Sequence, residues 1–459
     1  MRLIITSGRT STNFQFTTNM KNRSLAAQQE ALEQTLSEMV KARPERVIQT
    51  ISDLVQIPSE NTPPIGTEFE CQRYVYDRLS QLDLKTEVYE LTDVPGFTEH
   101  PVYRPGREYR NRPNVSAEWK GSGGGRSLLL SGHIDTVPRG SASWSRDPFG
   151  ATVEDNRLYG LGSNDMKGGI GAFIVAVEAL KEAGVKLRGD LLLETIVDEE
   201  FGGVNGTLAA RLRGHNADAA IICEPSQTMI CPAQTGGRTA HITLRARPSG
   251  ILYEGDPPAR VTDQLHHFLG RVAQFAERRR SIAPIHVLYS DSNDPVPAWV
   301  TKINCGGWGT KEPITLPTTC QVEFYWQAMP GETQDDIERE FFEWLGEMVA
   351  AQPELFPYHP EVSFPIRWLP GSALEGEPEL VTELSETFRE ITGEPPQIRG
   401  IGGPCDLYVF HQHFDTPAIL FGPRGGNTHA PDEWVEIDSA VLTAETLARF
   451  ICRWCEVDW

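Results

Sequence analysis

Cysteine is scarce in this chain: eight in 459 residues, at Cys71, Cys223, Cys231, Cys305, Cys320, Cys405, Cys452 and Cys455. That is too few for a disulfide scaffold. The one close pair, Cys452 and Cys455, falls inside the helical apolar pattern Leu447, Ile451 and Trp454, so a buried helix face is expected there rather than a redox or zinc motif. Long apolar runs are missing too: none approaches the ~18 residues of a membrane span. The basic, Ser/Thr/Asn-rich start has only Leu3-Ile4-Ile5, well short of the ~7 apolar residues of a signal-peptide core. Residues 1–23 therefore read as a flexible tail on a cytoplasmic protein. Basic charge is in deficit, with 42 Lys and Arg against 63 Asp and Glu and a formal net charge of −21. Such a chain is not suited to wrapping nucleic acid or lying on an anionic membrane, while small neutral or cationic partners remain open. There is no internal repeat and no low-complexity tract, and 39% apolar with 23% charged residues is a globular composition.

What is present is an ordered alternation. Ser24 precedes the apolar face Leu25, Leu32, Leu36 and Met39, and Pro44 opens a second helix through Val47, Ile48, Ile51, Leu54 and Val55. Strand-like runs follow at 84–91, 114–119 and 127–131, with Gly121-Ser122-Gly123-Gly124-Gly125 as the turn between the last two. Residues 166–183 read as a long helix. Leu191 to Val197 and Ala219 to Cys223 are short, continuously apolar strands, the kind covered by helices on both faces. After Pro232 the order becomes strand, helix (260–280), strand (301–306), strand (319–329), helix (335–350) and strand (361–368), an antiparallel α+β unit. A helix at 379–391, a strand at 418–422 and a final helix restore the first pattern. The expected fold is α/β: a mixed, largely parallel sheet with helices on both faces, built from residues 24–233 and 371–459. It is interrupted by an inserted α+β lid domain at 234–370.

Chemistry-bearing side chains gather where the apolar runs stop. Leu128-Leu129-Leu130-Ser131-Gly132 runs into His133-Ile134-Asp135, Leu191 to Val197 into Asp198-Glu199-Glu200, and Ala219 to Cys223 into Glu224. In open α/β sheets the carboxyl ends of the strands face the ligand crevice. Asp165 stands just before the long helix, where a lone Asp reads as a cap, and His429 stands in the glycine-rich loop 425–433. Each residue alone has an ordinary structural reading. Together they differ, because three adjacent carboxylates at 198–200 repel one another unless a cation neutralises them. Two histidines with three carboxylates suit a two-metal site sharing one carboxylate, with donors for zinc, cobalt or manganese.

At these residues the chain resembles the aminoacylase, acetylornithine deacetylase, succinyl-diaminopimelate desuccinylase and carboxypeptidase G family of dinuclear-metal amidohydrolases. The resemblance runs from about residue 45 onward. Its carriers are residues 131–138 (SGHIDTVP), 144–149 (WSRDPF), 159–169 (YGLGSNDMKGG), 198–200 (DEE), 223–225 (CEP) and 428–433 (THAPDE). It implies a zinc-exopeptidase-like catalytic domain, two divalent ions per subunit (zinc first, cobalt or manganese as alternatives) and a lid that commonly mediates homodimers. Asp165 would bridge the ions, with His133 and Glu224 completing one site and Glu200 and His429 the other. Asp135 would accept a bond from His133 and fix its tautomer, and Glu199 would be the general acid/base. The segment 400–406 (GIGGPCD), with Gly402 and Gly403, matches the family's substrate-facing glycine loop in position. The expected activity is hydrolysis of an N-acyl, N-formyl or peptide-like C–N bond of a small molecule.

The lid departs from the family pattern twice. Where relatives usually carry an active-site histidine, residues 247–255 read RPSGILYEG, with Gly250 at the expected position and no histidine between His241 and His266. His241, on the preceding strand, is a candidate substitute oxyanion donor, although an exposed strand histidine is the expected reading. Where many relatives carry Asp-x-Arg, this chain has Tyr325-Trp326-Gln327 before Met329-Pro330-Gly331-Glu332. Gln327 carries no charge and its aromatic neighbours offer flat area or a surface for a cation. A substrate with a neutral or cationic leaving group, such as an aromatic or heterocyclic amine, is therefore expected, unless Arg399 or Arg424 clamps a carboxylate from the catalytic side. The altered lid also leaves open a metal-binding, catalytically weak ligand-binding protein, from which Glu199 distinguishes an enzyme. Arg278-Arg279-Arg280 reads as a solvated helix end rather than a phosphate or polyanion site.

Overall fold

Helix α1 (Leu25–Lys41) starts where Ser24 turns its hydroxyl onto the Ala27 amide, and α2 (Pro44–Gln56) starts on a proline that has no amide to leave unpaired. The computed structural model describes residues 24–459 apart from Glu254 and Asp256, so the expected tail at 1–23 lies outside the described residues. Helix α3 (Phe69–Ser80) leads into β1 (Lys85–Tyr89), β2 (Asn114–Trp119) and β3 (Leu128–His133). Then come α4 (Gly168–Glu182), β4 (Leu191–Ile196), α5 (Asn205–Leu212), β5 (Ala219–Ile222) and β6 (Ile230–Gln234). Strands β3, β4 and β5 are parallel neighbours. The sheet runs β1-β2-β4-β3-β5-β13-β6, where β13 is Ala418–Leu420 and lies parallel to β5. Beyond β6 lie antiparallel β11 (Ser372–Ala373) and parallel β12 (Ile398–Ile401). The glycine-rich segment at 121–125 does not join neighbours, because β4 inserts between β2 and β3. Strand order is set by long-range pairing, which local periodicity does not carry.

Alternate residues of β3 show why both faces are covered. A Cβ on Gly132 would come within 2.8 Å of Ile170 on α4, so only glycine lets that helix pack so closely. Ser131, on the opposite face, bonds to buried Glu194, which in turn pairs with Arg211 on α5. Helix α8 (Glu379–Thr392) and the last helix α10 (Ile437–Trp454) extend the α1–α2–α4 layer, and Cys452 and Cys455 are buried there as free thiols. Helix α9 (Leu407–His413) places Phe410 beneath the Arg211 guanidinium on the α5 side. Among the described residues no helix is long and apolar enough to cross a membrane.

Strand β6 passes through Thr235 straight into β7 (Gly236–Arg245), which belongs to a different sheet. That sheet is antiparallel, ordered β8-β9-β7-β10, with β8 Ala298–Cys305, β9 Thr319–Ala328 and β10 Glu361–Ser363. The last strand ends earlier than its apolar pattern suggests, since Pro365 cannot donate to a ladder. Helices α6 (Val261–Ile282) and α7 (Gln334–Ala351) cover the sheet and enclose a separate core of Phe268, Phe275, Phe324, Trp326, Phe341 and Trp344. Trp326 is fully buried and stacks on Phe341 with ring centroids 4.8 Å apart. Trp326→Ala is expected to cost about 3–5 kcal/mol of stability, the range for emptying an aromatic core site, measured by chemical denaturation. Arg279 corrects the expectation for its cluster. It is buried and bridges Glu332, Glu340 and the Gln327 carbonyl, so it cross-links α6 to α7 and β9. Only Arg278 and Arg280 have the exposed pairings expected of a helix end.

Candidate active site

Because β3, β4 and β5 run parallel, their carboxyl ends deliver His133, Glu199-Glu200 and Glu224 to one edge. His133 is 2% exposed; its Nδ1 lies 2.9 Å from the Asp135 backbone carbonyl, which directs Nε2 into the cleft. There Nε2 meets Asp165 Oδ1 at 2.9 Å and Glu224 Oε1 at 3.7 Å. The other oxygen of Asp165, Oδ2, is 3.4 Å from His429 Nε2, which also lies 3.2 Å from Glu200 Oε2. One carboxylate thus stands between two imidazoles, with an oxygen toward each. His133, Asp165 and Glu200 have donor atoms close enough together to hold a metal ion.

Asp165 does not cap a helix. It sits in an irregular turn ahead of α4, with φ −113° and ψ 97°, and the buried Glu433 carboxylate accepts its amide together with those of Gly162 and Asn164. Glu433 closes the His429 loop, whose short strands at 425–426 and 434–436 join 157–159 and 152–154 in a small antiparallel sheet. One carboxylate therefore ties the Asp165 turn to the His429 loop. Nothing in the local pattern of residues 428–433 marks Glu433 for this role, because the amides it accepts lie about 270 residues away.

The carboxylates at 198–200 part company. Asp198 turns away from the cleft, fully buried. It accepts from Tyr109 Oη (2.6 Å) and Asn61 Nδ2 (3.3 Å) and pairs with Arg107 (3.3 Å). Its neutralising cation is a guanidinium, not a metal. Asp135 meets His133 Nδ1 through its backbone carbonyl, at 2.9 Å, while its carboxylate stands farther off, with Oδ1 at 3.7 Å. It accepts instead from Asn61 Nδ2 and from the backbone amides of Glu199 and Glu200, at 2.9–3.1 Å, and so holds the strand end that presents those two carboxyl groups.

Burial raises Glu199 well above the usual carboxylate range; His133 opposes this, and Asp406, Glu224 and Glu200 add to it. Glu224 is raised likewise by burial and by Asp165. Burial disfavours a charged His133, yet Glu224 and Asp165 lift it well above its ordinary value, while Glu200 chiefly pushes His429 up to about 12. This cluster draws protons to itself because its negative charge is not balanced, the condition that divalent cations satisfy.

The cleft above these groups has a volume of about 750 Å³ and is bounded on its other side by the lid sheet. Tyr325, Gln327, Gly402 and Gly403 line it. Gln327, 4% exposed, donates Nε2 to the Gly402 carbonyl at 2.7 Å, so it ties the lid strand to the glycine loop. Trp326 faces the lid core; the second aromatic in the cleft is Trp299, the cross-strand neighbour of Tyr325, which lay outside the expected strand. Arg399 is not in the cleft lining and pairs with Asp291, while Arg424 pairs with Glu436, so neither is placed as a carboxylate clamp. His241 pairs with Glu323 outside the cleft, and Gly250 bridges to Thr315 near the end of β7 distant from the cleft. Asp406, which ends the glycine-loop segment, is buried at the cleft beside Thr207 and pushed up to about 7 by burial; its neighbours in sequence do not mark it as part of the site.

Fold and site together define a metal-dependent amide hydrolase with a two-layer cleft. The chain belongs to the peptidase family M20/M25/M40, whose model matches residues 129–453. It is 26% identical over 433 residues to N-formyl-4-amino-5-aminomethyl-2-methylpyrimidine deformylase of Halalkalibacterium halodurans, covering 90% of this chain and 95% of that one. It is 27% identical over 376 residues to succinyl-diaminopimelate desuccinylase of Paracoccus denitrificans, covering 79% and 92%. Among solved structures, the di-peptidase Dug1p of Saccharomyces cerevisiae has the same fold, with TM-score 0.72, 15% identity, and coverage of 92% of this chain and 98% of that one.

Proposed function

We propose that this protein hydrolyses the amide C–N bond of a small molecule with two divalent cations, zinc first and cobalt or manganese as alternatives. The observation carrying this is Asp165 between the two imidazoles, one oxygen to each. His133, Asp165 and Glu224 would hold one cation, and Asp165, Glu200 and His429 the other. A cation pair so held supplies Lewis acidity, polarising an amide carbonyl and making a water acidic near neutral pH. Glu199 takes the proton from the attacking water and returns it to the departing nitrogen. Asp135 keeps the Glu199 backbone in place while it does so. The reading is tested by assaying N-formyl amines, N-acyl amino acids and dipeptides with protein loaded with each metal; absence of turnover on every one, with metal bound, would overturn it.

Cation uptake must displace the protons that Glu200 and Glu224 hold on the two histidines. Proton release on binding at pH 7, and an apparent affinity that rises with pH, are therefore expected. Calorimetry in buffers of differing ionisation enthalpy measures this directly; heats independent of buffer would contradict it.

The division into a catalytic unit (24–233 with 371–459) and a lid (234–370) is part of the proposal, supported by the separate sheets and cores. A cytoplasmic location and a homodimer through the lid are proposed with it. Leu252, Trp308 and Ile314, strongly exposed on lid loops, offer apolar area for such a contact, and light scattering tests it.

A further inference from the structure

The two walls of the cleft differ in chemistry. The catalytic wall presents Asp165, Glu199, Glu200, Glu224 and Asp406, and among the described residues no lysine or arginine lines the cleft. The lid wall presents an aromatic surface. Trp299 and Tyr325 face each other across the β8–β9 ladder, ring centroids 6.0 Å apart and planes 24° from parallel. Trp299 keeps 51% of its surface exposed although it borders a deep cleft. The Tyr325 ring has room to lie over β7 because Gly237 is bare there; a Cβ at that position would come within 3.0 Å of the ring. Gln327, the polar side chain on the same strand face, already has its amide on Gly402.

An exposed indole stacked on a phenol gives a flat, amphipathic surface that favours planar rings and cations. Away from the proposed cations, a substrate carboxylate on the lid side would meet no lysine or arginine to replace its lost hydration. We infer that the amide this enzyme cleaves carries a planar aromatic or heteroaromatic ring without a carboxylate, seated on the Trp299–Tyr325 surface. This rests on the hydrolytic reading of the cleft. Trp299 then determines specificity without taking part in the chemical step.

Four amides separate the possibilities: N-formylbenzylamine (ring on the amine), N-methylbenzamide (ring on the acyl group), N-formylbutylamine (no ring) and N-formylphenylalanine (ring with carboxylate). The metal-loaded protein is expected to prefer one of the first two over N-formylbutylamine by ~10-fold in kcat/KM, the scale of one good aromatic contact. N-formylphenylalanine should be the poorer ring substrate. Trp299→Ala should reduce the ring-to-butyl ratio by ~10-fold, mainly through KM, and Trp299→Phe should restore much of it. An unchanged ratio in Trp299→Ala, or N-formylphenylalanine as the best ring substrate, overturns the inference. Calorimetric binding of benzylamine to metal-loaded wild type and Trp299→Ala reads the same contact without turnover. Ring binding lost in the variant, with no amide hydrolysed by either protein, would sink the hydrolytic reading and keep the aromatic surface; equal binding by both proteins would sink the surface itself.

Discussion

Replacing Glu199 by glutamine leaves both metals bound and lowers kcat by roughly 100-fold or more, the usual scale for losing a positioned general base. Glutamine keeps the volume and one acceptor oxygen but cannot take a proton from water. Its backbone amide still reaches Asp135, so the strand end is not displaced. None of the hydrogen bonds or ion pairs that join His133, Asp165, Glu200 and His429 passes through the Glu199 side chain, which is why metal content should not follow activity. Metal analysis of the purified variant beside its steady-state kinetics gives both quantities. The result also separates an enzyme from a ligand-binding protein with a metal site, since binding needs no base beside the cations. Undiminished turnover in Glu199→Gln would remove this residue from the mechanism.

The edge on which this chemistry stands was readable from local pattern. Leu128 to Leu130, Leu191 to Leu193 and Ala219 to Ile222 are apolar at every position, as strands covered on both faces must be, and the strands that contain them lead into His133, Glu199-Glu200 and Glu224. Parallel strands then bring those residues together. What could not be read are contacts that depend on register or on distant loops. Trp299 and Trp326 look alike in sequence, yet the antiparallel register turns Trp326 into the lid core and sets Trp299 beside Tyr325. Asp198 stands in one run of carboxylates with Glu199 and Glu200, but Arg107, Tyr109 and Arg112 reach it from a segment about 90 residues earlier. Asp135 serves two neighbours at once, its backbone carbonyl facing the His133 ring and its carboxylate holding the next strand end.

Asp165→Ala should have the largest effect of any single substitution at the site. The side chain faces both imidazoles, so its loss removes a donor from each proposed cation site at once. The effect can be scaled against Glu433, which touches neither imidazole but accepts the Asp165 amide and two of its neighbours. Glu433→Gln should weaken metal affinity by ~10–100-fold, the range for partners that orient a ligand. Asp165→Ala should exceed that range for both ions and abolish measurable hydrolysis. Titration of the metal-free proteins with zinc or cobalt, counting ions retained per chain, orders the three proteins directly. If Asp165→Ala retains two ions per chain at wild-type affinity, the shared-carboxylate arrangement is wrong. If it retains one, Asp165 serves a single cation, and the second histidine must find its partner in Glu200 alone.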